Sequence, residues 1–419
     1  MSHPQALLCD ALEAHFSKSS PARMAVAVSG GSDSTALLLG LKDWARGREV
    51  SLYAVTVDHG LRAASTQEAE AVARLCAELG LPHHCLVWQG WDGQGNLSDA
   101  ARRARYDLMA DWALGHDIHD LVLGHTQNDQ AETLVMRLAR GAGLDGLAGM
   151  GARTTRGAMT LHRPLLGVSR ESLRAYLRQR EIGWADDPSN DDPQYARVRT
   201  RAALSALESA GVEVAALAKV AGYLREARET IGHVAQEAAE RLVQFDAGDL
   251  VIDAQAWGEE RRDIQRRILQ AALRWVSGHG YPARGAAVEA LLEALQRDEA
   301  TTLHGCRVIA RREYIRITRE WAAVADLEAS AGALWDGRWQ VSGPFEPEDR
   351  IRALGEASLA LCPDRRQAGY PAASLIASPA VWRDGQLIAA PLAGLGQSDG
   401  WSAECLRSRR DLNDTLLSH

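Results

Sequence analysis

The first half of the chain alternates short apolar runs with longer stretches in which apolar residues recur every three or four positions. This alternation predicts strands followed by amphipathic helices, and crossovers of this length fit right-handed units that join parallel strands. The predicted strands are Met24–Val28, Leu52–Val57, His84–Trp88 and Leu121–Leu123. The predicted helices are Ser34–Ala45, Thr66–Leu79, Ser98–Leu114 and Asp129–Leu138. We therefore expect residues 1–211 to form an α/β domain with a mainly parallel sheet flanked by helices.

The pattern changes in the second half of the chain. From about Val212 to Arg297 the sequence is rich in Ala, Leu and Arg, it lacks strand signals, and apolar residues fall on one helical face. Thr302–Arg319 alternates as two strands would, and the stretch from about Leu334 places Gly, Pro and Trp between short apolar runs. We therefore expect a mainly helical domain at residues 212–320 and a small C-terminal α+β or mostly β domain at residues 334–419.

Composition narrows the classes of protein that remain. A chain of 419 residues favours two or three domains, and we expect three. No early segment resembles a signal peptide and no apolar run has membrane-spanning length, so we expect a cytoplasmic protein without a membrane partner. The six cysteines form no C-x-x-C pair and are predicted to be reduced thiols. A net charge of −8 argues against a nucleic-acid partner only if charge is evenly spread, so the positions of the Arg residues decide.

The segment Ser29-Gly-Gly-Ser-Asp-Ser34 lies between the first predicted strand and its helix, where backbone N–H groups and the helix dipole favour an anion. Gly30 and Gly31 let the backbone approach phosphate oxygens closely, and three serines add hydroxyl donors. Asp33 repels phosphate unless a cation intervenes, so its predicted role is to hold Mg²⁺. The segment lacks the Lys of a Walker motif. The alternative interpretation is a plain glycine turn, which leaves Asp33 and the hydroxyls unexplained.

The segment Asp58-His-Gly-Leu-Arg62 follows the second predicted strand. Ligands of open α/β sheets bind beyond the carboxyl ends of the strands, so this segment is predicted to face the same crevice as the glycine loop. Taken alone, a turn of this composition is also typical of a simple connection.

The segment Gly124–Thr133 follows the fourth predicted strand and opens a helix. Asp129 and Glu132 are three residues apart and therefore share one helical face, where two carboxylates can hold an amine or a metal. The alternative is that both are first-turn residues that stabilise the helix dipole.

The segments SGGSDS, VDHGLR and LGHTQNDQAET, in this order, resemble the N-type ATP pyrophosphatase (PP-loop) family, whose catalytic domain has an adenine nucleotide α-hydrolase-like fold. Within that family the chain is most similar to the tRNA(Ile)-lysidine synthetases. The likeness extends to Arg163–Leu166, Asp187–Asn190 and Tyr195–Arg201, and more loosely to Asp349-Arg350 and Pro379–Gly385.

The resemblance implies that ATP is cleaved to AMP and pyrophosphate and that L-lysine is ligated to carbon 2 of the wobble cytidine in tRNA(Ile) with a CAU anticodon. It implies Mg²⁺ bound by Asp33, catalytic roles for Asp33, Asp129 and Arg201, and two later domains that bind tRNA. The implied ATP-binding residues are Ser29, Gly30, Gly31, Ser32, Asp33, Ser34, Asp58, His59, Arg62, Gly124 and His125. The implied substrate-binding residues are Arg105, Asp129 and Glu132 for lysine, and Arg197, Arg199 and Arg201 for RNA or phosphate.

The chain departs from the family pattern at two positions of one segment. Where relatives commonly carry His-His-x-Asp-Asp, this chain has His125-Thr-Gln-Asn-Asp129, so a second His and a first Asp are replaced by Thr126 and Asn128. Val198 stands where the family often has Asn. These departures leave open a relative that binds tRNA without catalysis.

Arg provides nearly all basic residues, in clusters that are candidate phosphate contacts. The clusters lie at Arg170–Arg180, Arg197–Arg201, Arg261–Arg267 and Arg311–Arg319. The alternative is that Arg-rich helix faces are solvated and paired with acidic residues.

A second enzyme hypothesis keeps the fold and changes the substrate, to tRNA thiolation or amide formation. Thiolating relatives use C-x-x-C cysteines, which this chain lacks. The sequence does not indicate an oligomeric state or the residues that reject other tRNAs with a CAU anticodon.

Overall fold

The computed structural model describes residues 4–60, 63–91, 97–186, 194 and 196–417, and the chain divides into two compact units between Arg228 and Glu229. The strands of the first unit are β1 Arg23–Ala27, β2 Ser51–Asp58, β3 His83–Val87, β4 Asp120–Val122, β5 Arg153–Arg156 and β6 Met159–His162. Its helices are α1 Pro4–Phe16, α2 Ser32–Ala45, α3 Ala63–Glu78, α4 Leu97–Gly115, α5 Gln127–Leu138, α6 Leu144–Leu147, α7 Arg170–Gln179 and α8 Ala196–Ser209.

The strands of the first unit form one sheet in the order β3-β2-β1-β4-β6-β5, in which β5 alone runs antiparallel to its neighbour. The order changes direction at β1, because β2 and β4 follow it on opposite sides. Ligands of such sheets bind at the carboxyl edge beside such a change of direction, so the loops that follow β1 and β4 are the candidate ligand site.

Alternating side chains of β1 enter two different hydrophobic cores. Met24 and Val26 belong to the core formed with α1, α2, α3 and α7, whereas Ala25 belongs to the core formed with α4. Tyr106 and Met109 are the large buried side chains that α4 contributes. Because both faces of the sheet are covered, its strands read as almost continuous apolar runs. This arrangement confirms the predicted α/β fold class.

All four strands predicted in the first half are present within one residue of their predicted limits. The helices between them begin one to three residues earlier than predicted. The β5–β6 hairpin had no prediction, since the sequence of the edge strand β5, Arg-Thr-Thr-Arg, is polar throughout.

The second unit is built from helices and antiparallel sheets. The helix α9 Val214–Leu242 contains the division between the units, and the later helices are α10 Ala254–Glu259, α11 Arg262–Ser277, α12 Gly285–Gln296, α13 Ala372–Ile376 and α14 Arg409–Leu417. The strands up to residue 330 are β7 Val243–Asp246, β8 Asp249–Asp253, β9 Thr301–Leu303, β10 Cys306–Ala310, β11 Tyr314–Arg319 and β12 Ala329–Ser330. The remaining strands are β13 Trp339–Ser342, β14 Arg350–Ala353, β15 Pro379–Arg383, β16 Gln386–Ala389 and β17 Ser402–Cys405.

Strands β7 and β8 correct the prediction that no strand lies between Val212 and Arg297. They form a hairpin, and β8 pairs with β11 in a five-stranded sheet of order β7-β8-β11-β10-β9. The turn is Ala247-Gly248, with φ of +46° and +86°, and hairpin turns of this geometry more often carry Asn-Gly or Asp-Gly. The sequence pattern did not predict the hairpin, because the turn residues are unusual and the flanking segments have a helical composition.

The sheet of β7 to β11 packs on α11, α12 and α14. Smaller sheets follow, of order β12-β14-β15-β16 and β13-β17. The predicted mixture of helices and a small C-terminal α+β region is therefore present, and the finer boundaries at residues 211, 320 and 334 stay predictions. All six cysteines are free thiols. Among the helices in the described part of the chain, none combines the length and the apolar character needed to cross a membrane.

Candidate functional site

The loop between β1 and α2 is held in shape by the side chain of Ser34. Its hydroxyl accepts from the Ser29 backbone N–H at 3.1 Å and donates to the Gly31 carbonyl oxygen at 3.1 Å. Gly30 has φ of +83°, in the left-handed region that favours glycine. The first backbone N–H groups of α2 have no acceptor within the helix, so this loop presents donors to an anion.

Gly124 brings the end of β4 against this loop. A Cβ atom at this position would lie 3.1 Å from the backbone carbon of Asp33 and from the backbone nitrogen and Cα of Ser34. This close backbone approach favours glycine at position 124, and the predicted part of Gly124 in the nucleotide site stays a prediction.

Asp58 organises the loop after β2. Its carboxylate accepts from Ser65 Oγ at 2.6 Å, the Gly60 backbone N–H at 2.9 Å and Thr66 Oγ1 at 3.0 Å. These hydrogen bonds, that from Ser65 foremost, lower the pKa of Asp58, so the group stays ionised. The predicted contribution of Asp58 to ATP binding stays a prediction, and Arg62 lies outside the described residues.

Helix α5 begins with reciprocal hydrogen bonds between Thr126 and Asp129. The Thr126 hydroxyl and backbone N–H donate to Asp129 Oδ2 at 2.7 and 2.8 Å, and the Asp129 N–H donates to Thr126 Oγ1. Burial raises the pKa of Asp129, but Arg170 and the Thr126 hydrogen bonds outweigh it and hold the pKa below its usual value. Asp129 therefore caps the helix with Oδ2 and contacts Arg170 with Oδ1, and its predicted role in holding an amine or a metal stays a prediction.

Arg170, the first residue of α7, joins the two halves of the site. Its Nε donates to Asp33 Oδ2 at 3.0 Å, and its Nη1 and Nη2 lie 3.4 Å from Glu132 Oε1 and Asp129 Oδ1. We call Asp33, Asp129 and Glu132 the carboxylate triad. The first turns of α2, α5 and α7 therefore meet at one guanidinium.

Sequence reasoning placed Arg170 only in a basic cluster and missed its place in the site. A signal was present in the sequence. Ser169 caps α7, so Arg170 stands at the first helical position, where a cation opposes the helix dipole. An Arg in that place indicates that something other than local helix stability holds it.

Two of the three predicted Arg residues on α8 reach Glu132. Arg201 Nε donates to Glu132 Oε1 at 2.9 Å, and Arg197 Nε lies 3.7 Å from Oε2. Arg199 is exposed and donates to the Gln194 carbonyl oxygen. Glu132, whose side chain is 1% exposed, is therefore an anion surrounded by guanidinium groups.

Four of the predicted site residues carry a buried polar atom that lacks a hydrogen-bond partner. Within the described residues, the buried atoms His59 Nδ1, Arg105 Nε, His125 Nδ1 and Glu132 Oε2 have no hydrogen-bond partner. Burial lowers the pKa values of both histidines, and nearby Arg105 adds to the effect. The histidines are thus neutral near pH 7. Buried polar atoms are normally paired, so this group indicates a ligand site.

Asp33 is the residue for which the sequence predicted a role in binding Mg²⁺, and that role stays a prediction. Burial raises its pKa, which Arg170 and Ser32 partly offset, and its Oδ1 accepts from the Ser32 hydroxyl at 3.0 Å. Across the described residues no group of three or more His, Cys, Asp or Glu side chains forms a metal cage. Mg²⁺ commonly takes one or two carboxylates together with substrate phosphates, so one aspartate beside the loop fits.

Several Arg residues of the predicted phosphate clusters in the second unit are paired with acids instead. Arg316 contacts Asp246 and Asp249, and Arg319 contacts Asp336. All three of the closest N–O distances are 3.0 Å or less. For these residues the structure supports the alternative of paired guanidinium groups.

Comparison with known proteins shows which family the chain belongs to. Residues 6–208 match the family model of the PP-loop domain. Over 413 residues the chain is 47% identical to the tRNA(Ile)-lysidine synthase of Ruegeria pomeroyi, covering 98% of both proteins. The chain belongs to the tRNA(Ile)-lysidine synthase family.

That family includes a protein of Bradyrhizobium diazoefficiens that is 41% identical over 67% of this chain and 80% of its own length. A solved U34-tRNA thiolase from Methanococcus maripaludis is 17% identical, with a TM-score of 0.46 over 53% of this chain and 78% of that one. Family membership confirms the resemblance stated from the sequence motifs.

Proposed function

We propose that this chain ligates L-lysine to carbon 2 of the wobble cytidine in tRNA(Ile) with a CAU anticodon, and that it converts ATP to AMP and pyrophosphate. The observation that carries the proposal is the bridge made by Arg170 between Asp33 on the phosphate loop and the carboxylates of α5. The site proposed for a triphosphate and the site proposed for an amine are thus adjacent, as an ATP-dependent amine ligase requires.

The phosphate loop and the start of α2 bind the triphosphate through backbone N–H groups and hydroxyls. Asp33 is proposed to hold Mg²⁺, which neutralises phosphate charge and stabilises departing pyrophosphate. The cytidine oxygen O2 forms a bond to the α-phosphorus while the bond to pyrophosphate breaks. The lysine Nε then forms a bond to carbon 2, and the bond from carbon 2 to O2 breaks, so that AMP leaves with that oxygen.

Asp129 and Glu132 are proposed to attract the lysine amines, and Arg105 its carboxylate, because each pairing joins opposite charges. Arg105 suits this role because its buried Nε has no hydrogen-bond partner in the described part of the chain, while its guanidinium lies over the Tyr106 ring. The attacking amine must lose a proton, and its reference pKa is about 10.4. Asp129 stays ionised and takes that proton as the new bond forms.

Arg197, Arg199 and Arg201 on α8 are proposed to contact RNA or phosphate next to the lysine site. Arg197 and Arg199 are exposed, and Arg201 is partly exposed while it donates to Glu132. Guanidinium groups in such positions pair with phosphate, which makes binding dependent on salt. The second unit is proposed to bind other parts of the same tRNA.

A relative without catalysis is the second candidate, because Thr126 and Asn128 replace a His and an Asp. Specific contacts argue against it: Thr126 caps α5 together with Asp129, and Asn128 Oδ1 accepts from the Arg170 backbone N–H at 2.9 Å. Both substituted side chains therefore support triad geometry.

The test is incorporation of radiolabelled lysine into a tRNA(Ile) transcript with a CAU anticodon, in the presence of ATP and Mg²⁺. A methionine tRNA, which carries the same anticodon, is the control. Incorporation into the first transcript alone supports the proposal. Binding of the transcript without incorporation and without pyrophosphate release favours the non-catalytic relative.

A further inference from the structure

The guanidinium of Arg170 neutralises parts of two sites that receive different ligands under the proposed function, on which this inference rests. On one side it contacts Asp33, in the first turn of the phosphate-loop helix α2, at 3.0 Å. On the other side it lies 3.4 Å from Asp129 and from Glu132, the proposed amine ligands on α5. A single side chain therefore contacts carboxylates of both proposed sites.

These ion pairs are shielded from water. The exposed fraction of the side chain is 20% for Arg170, 10% for Asp129 and 1% for Glu132. Charges in such surroundings interact more strongly than at the surface. Removing the only cation that pairs with a buried carboxylate therefore costs free energy. Glu132 retains Arg201 at 2.9 Å if Arg170 moves. Asp129 pairs with Arg170 and with no other Arg or Lys of the described residues.

The backbone at the start of α7 is held by hydrogen bonds, while the Arg170 side chain reaches the triad. Its N–H donates to Asn128 Oδ1 at 2.9 Å, and the Gln127 N–H donates to the Val168 carbonyl oxygen at 2.9 Å. These bonds tie the start of α7 to the start of α5. The guanidinium can therefore change partners without moving either helix.

The two ligands make opposite demands on Arg170. An ammonium group needs the carboxylate oxygens that the guanidinium already occupies, whereas a triphosphate offers that guanidinium anionic oxygens beside Asp33. We propose that Arg170 is a positioning residue that couples the two sites. Without ligands it neutralises Asp129 and Glu132; with triphosphate bound it turns to the phosphates and leaves those carboxylates to the amine.

Coupling of this kind has a defined sign. Nucleotide increases the affinity for lysine, and lysine increases the affinity for nucleotide by the same factor, because coupling free energies are reciprocal. Couplings between sites commonly change affinity by about 5-fold to 150-fold. We expect about tenfold tighter lysine binding when the triphosphate site is filled.

The experiment measures the dissociation constant of radiolabelled L-lysine by equilibrium dialysis with the full chain. Each protein is measured alone and with Mg²⁺ and an ATP analogue whose α,β-bridging oxygen is replaced by methylene. The variants are Arg170→Gln, Arg170→Lys and the control Arg74→Gln, whose exposed ion pair with Glu70 lies on α3. The unchanged chain and the control are expected to show the tenfold gain.

Arg170→Gln is expected to bind lysine more tightly than the unchanged chain when no nucleotide is present, and to gain less than twofold from the analogue. Structural damage alone has the opposite sign, since it weakens lysine binding under both conditions. Arg170→Lys keeps the charge but lacks the planar fork, so it is expected to gain about threefold. This variant carries the test if the Gln variant does not fold.

A full tenfold gain in both Arg170 variants overturns the coupling, as does lysine binding in the unchanged chain that does not depend on nucleotide. Weaker lysine binding in Arg170→Gln under both conditions also overturns it, and assigns Arg170 a structural role. If the unchanged chain binds no lysine at all, the proposed function fails, and the coupling fails with it.

Discussion

Replacement of Gly124 by Ala tests whether the close approach of β4 shapes the phosphate loop. The added Cβ would lie 3.1 Å from three backbone atoms of Asp33 and Ser34, whereas ordinary contact begins at 3.4 Å. The loop must therefore retreat by about 0.3 Å, and extra atoms in a packed site typically cost about 1–3 kcal/mol. Gly124 has no left-handed φ, so the effect is steric and adds no backbone strain.

The displaced atoms belong to the segment that presents N–H groups to phosphate, so part of this cost appears as lost ATP affinity. A loss of about 1.4 kcal/mol of binding free energy corresponds to a tenfold larger dissociation constant. Calorimetric titration with the ATP analogue measures the affinity, and thermal unfolding measures stability. Gly115→Ala is the matched control, because a Cβ at that position meets no atom within 4 Å.

We expect the control to match the unchanged chain in both assays. If Gly124→Ala also binds the analogue within twofold of the unchanged chain, the loop does not depend on this contact. If it loses stability but not affinity, the loop relaxes away from the nucleotide, and Gly124 is needed for folding alone.

Three further predictions concern charge. Burial and the neighbouring His162 lower the pKa of His15 to about 4 from 6.5, so the unfolded chain takes up a proton first as the pH falls. Stability should therefore decline between pH 6.5 and 4, by about 1 kcal/mol after allowance for screening, and denaturant titration of His15→Gln should show a flatter profile. Asp129→Asn keeps the size and removes the charge, so lysine transfer should fall by at least about 100-fold; an unchanged rate would exclude Asp129 as the proton acceptor. Arg316→Met leaves Asp249 buried without its guanidinium and should lower the free energy of unfolding by about 3–5 kcal/mol, whereas Arg297→Met in an exposed pair should change little.

The α/β half of the fold could be predicted because strands covered on both faces produce distinct apolar runs. β1 and β4 were predicted within one residue for this reason. The β5–β6 hairpin could not be predicted in the same way, because β5 lies at the sheet edge and carries polar residues. The β7–β8 hairpin was not predicted because Ala247-Gly248 is an unusual pair of residues for a turn of this geometry.

The candidate site could be predicted as far as each residue stands in a local motif. Asp33, Gly124 and Asp129 lie in the segments that connect a strand to the next helix or in the first turn of that helix, so their position at the carboxyl edge follows from the sheet. Arg170 contacts side chains that precede it by 137, 41 and 38 positions, and no local pattern encodes such pairings. Contacts of this kind depend on how α7 packs against α2 and α5, which only the folded chain specifies.

The convergence of three helix first turns at Arg170 bears on how such sites drift in sequence. The positive ends of the helix dipoles of α2, α5 and α7 are made by main-chain groups, so no side-chain replacement removes them. The attraction of these three helix ends for anions therefore persists when side chains mutate. Exchanges such as Thr126 and Asn128 can accumulate as long as the helix starts stay in register. Distant relatives should then be recognisable by three helix N-termini that meet at one Arg side chain, even where the sequence motif itself has changed.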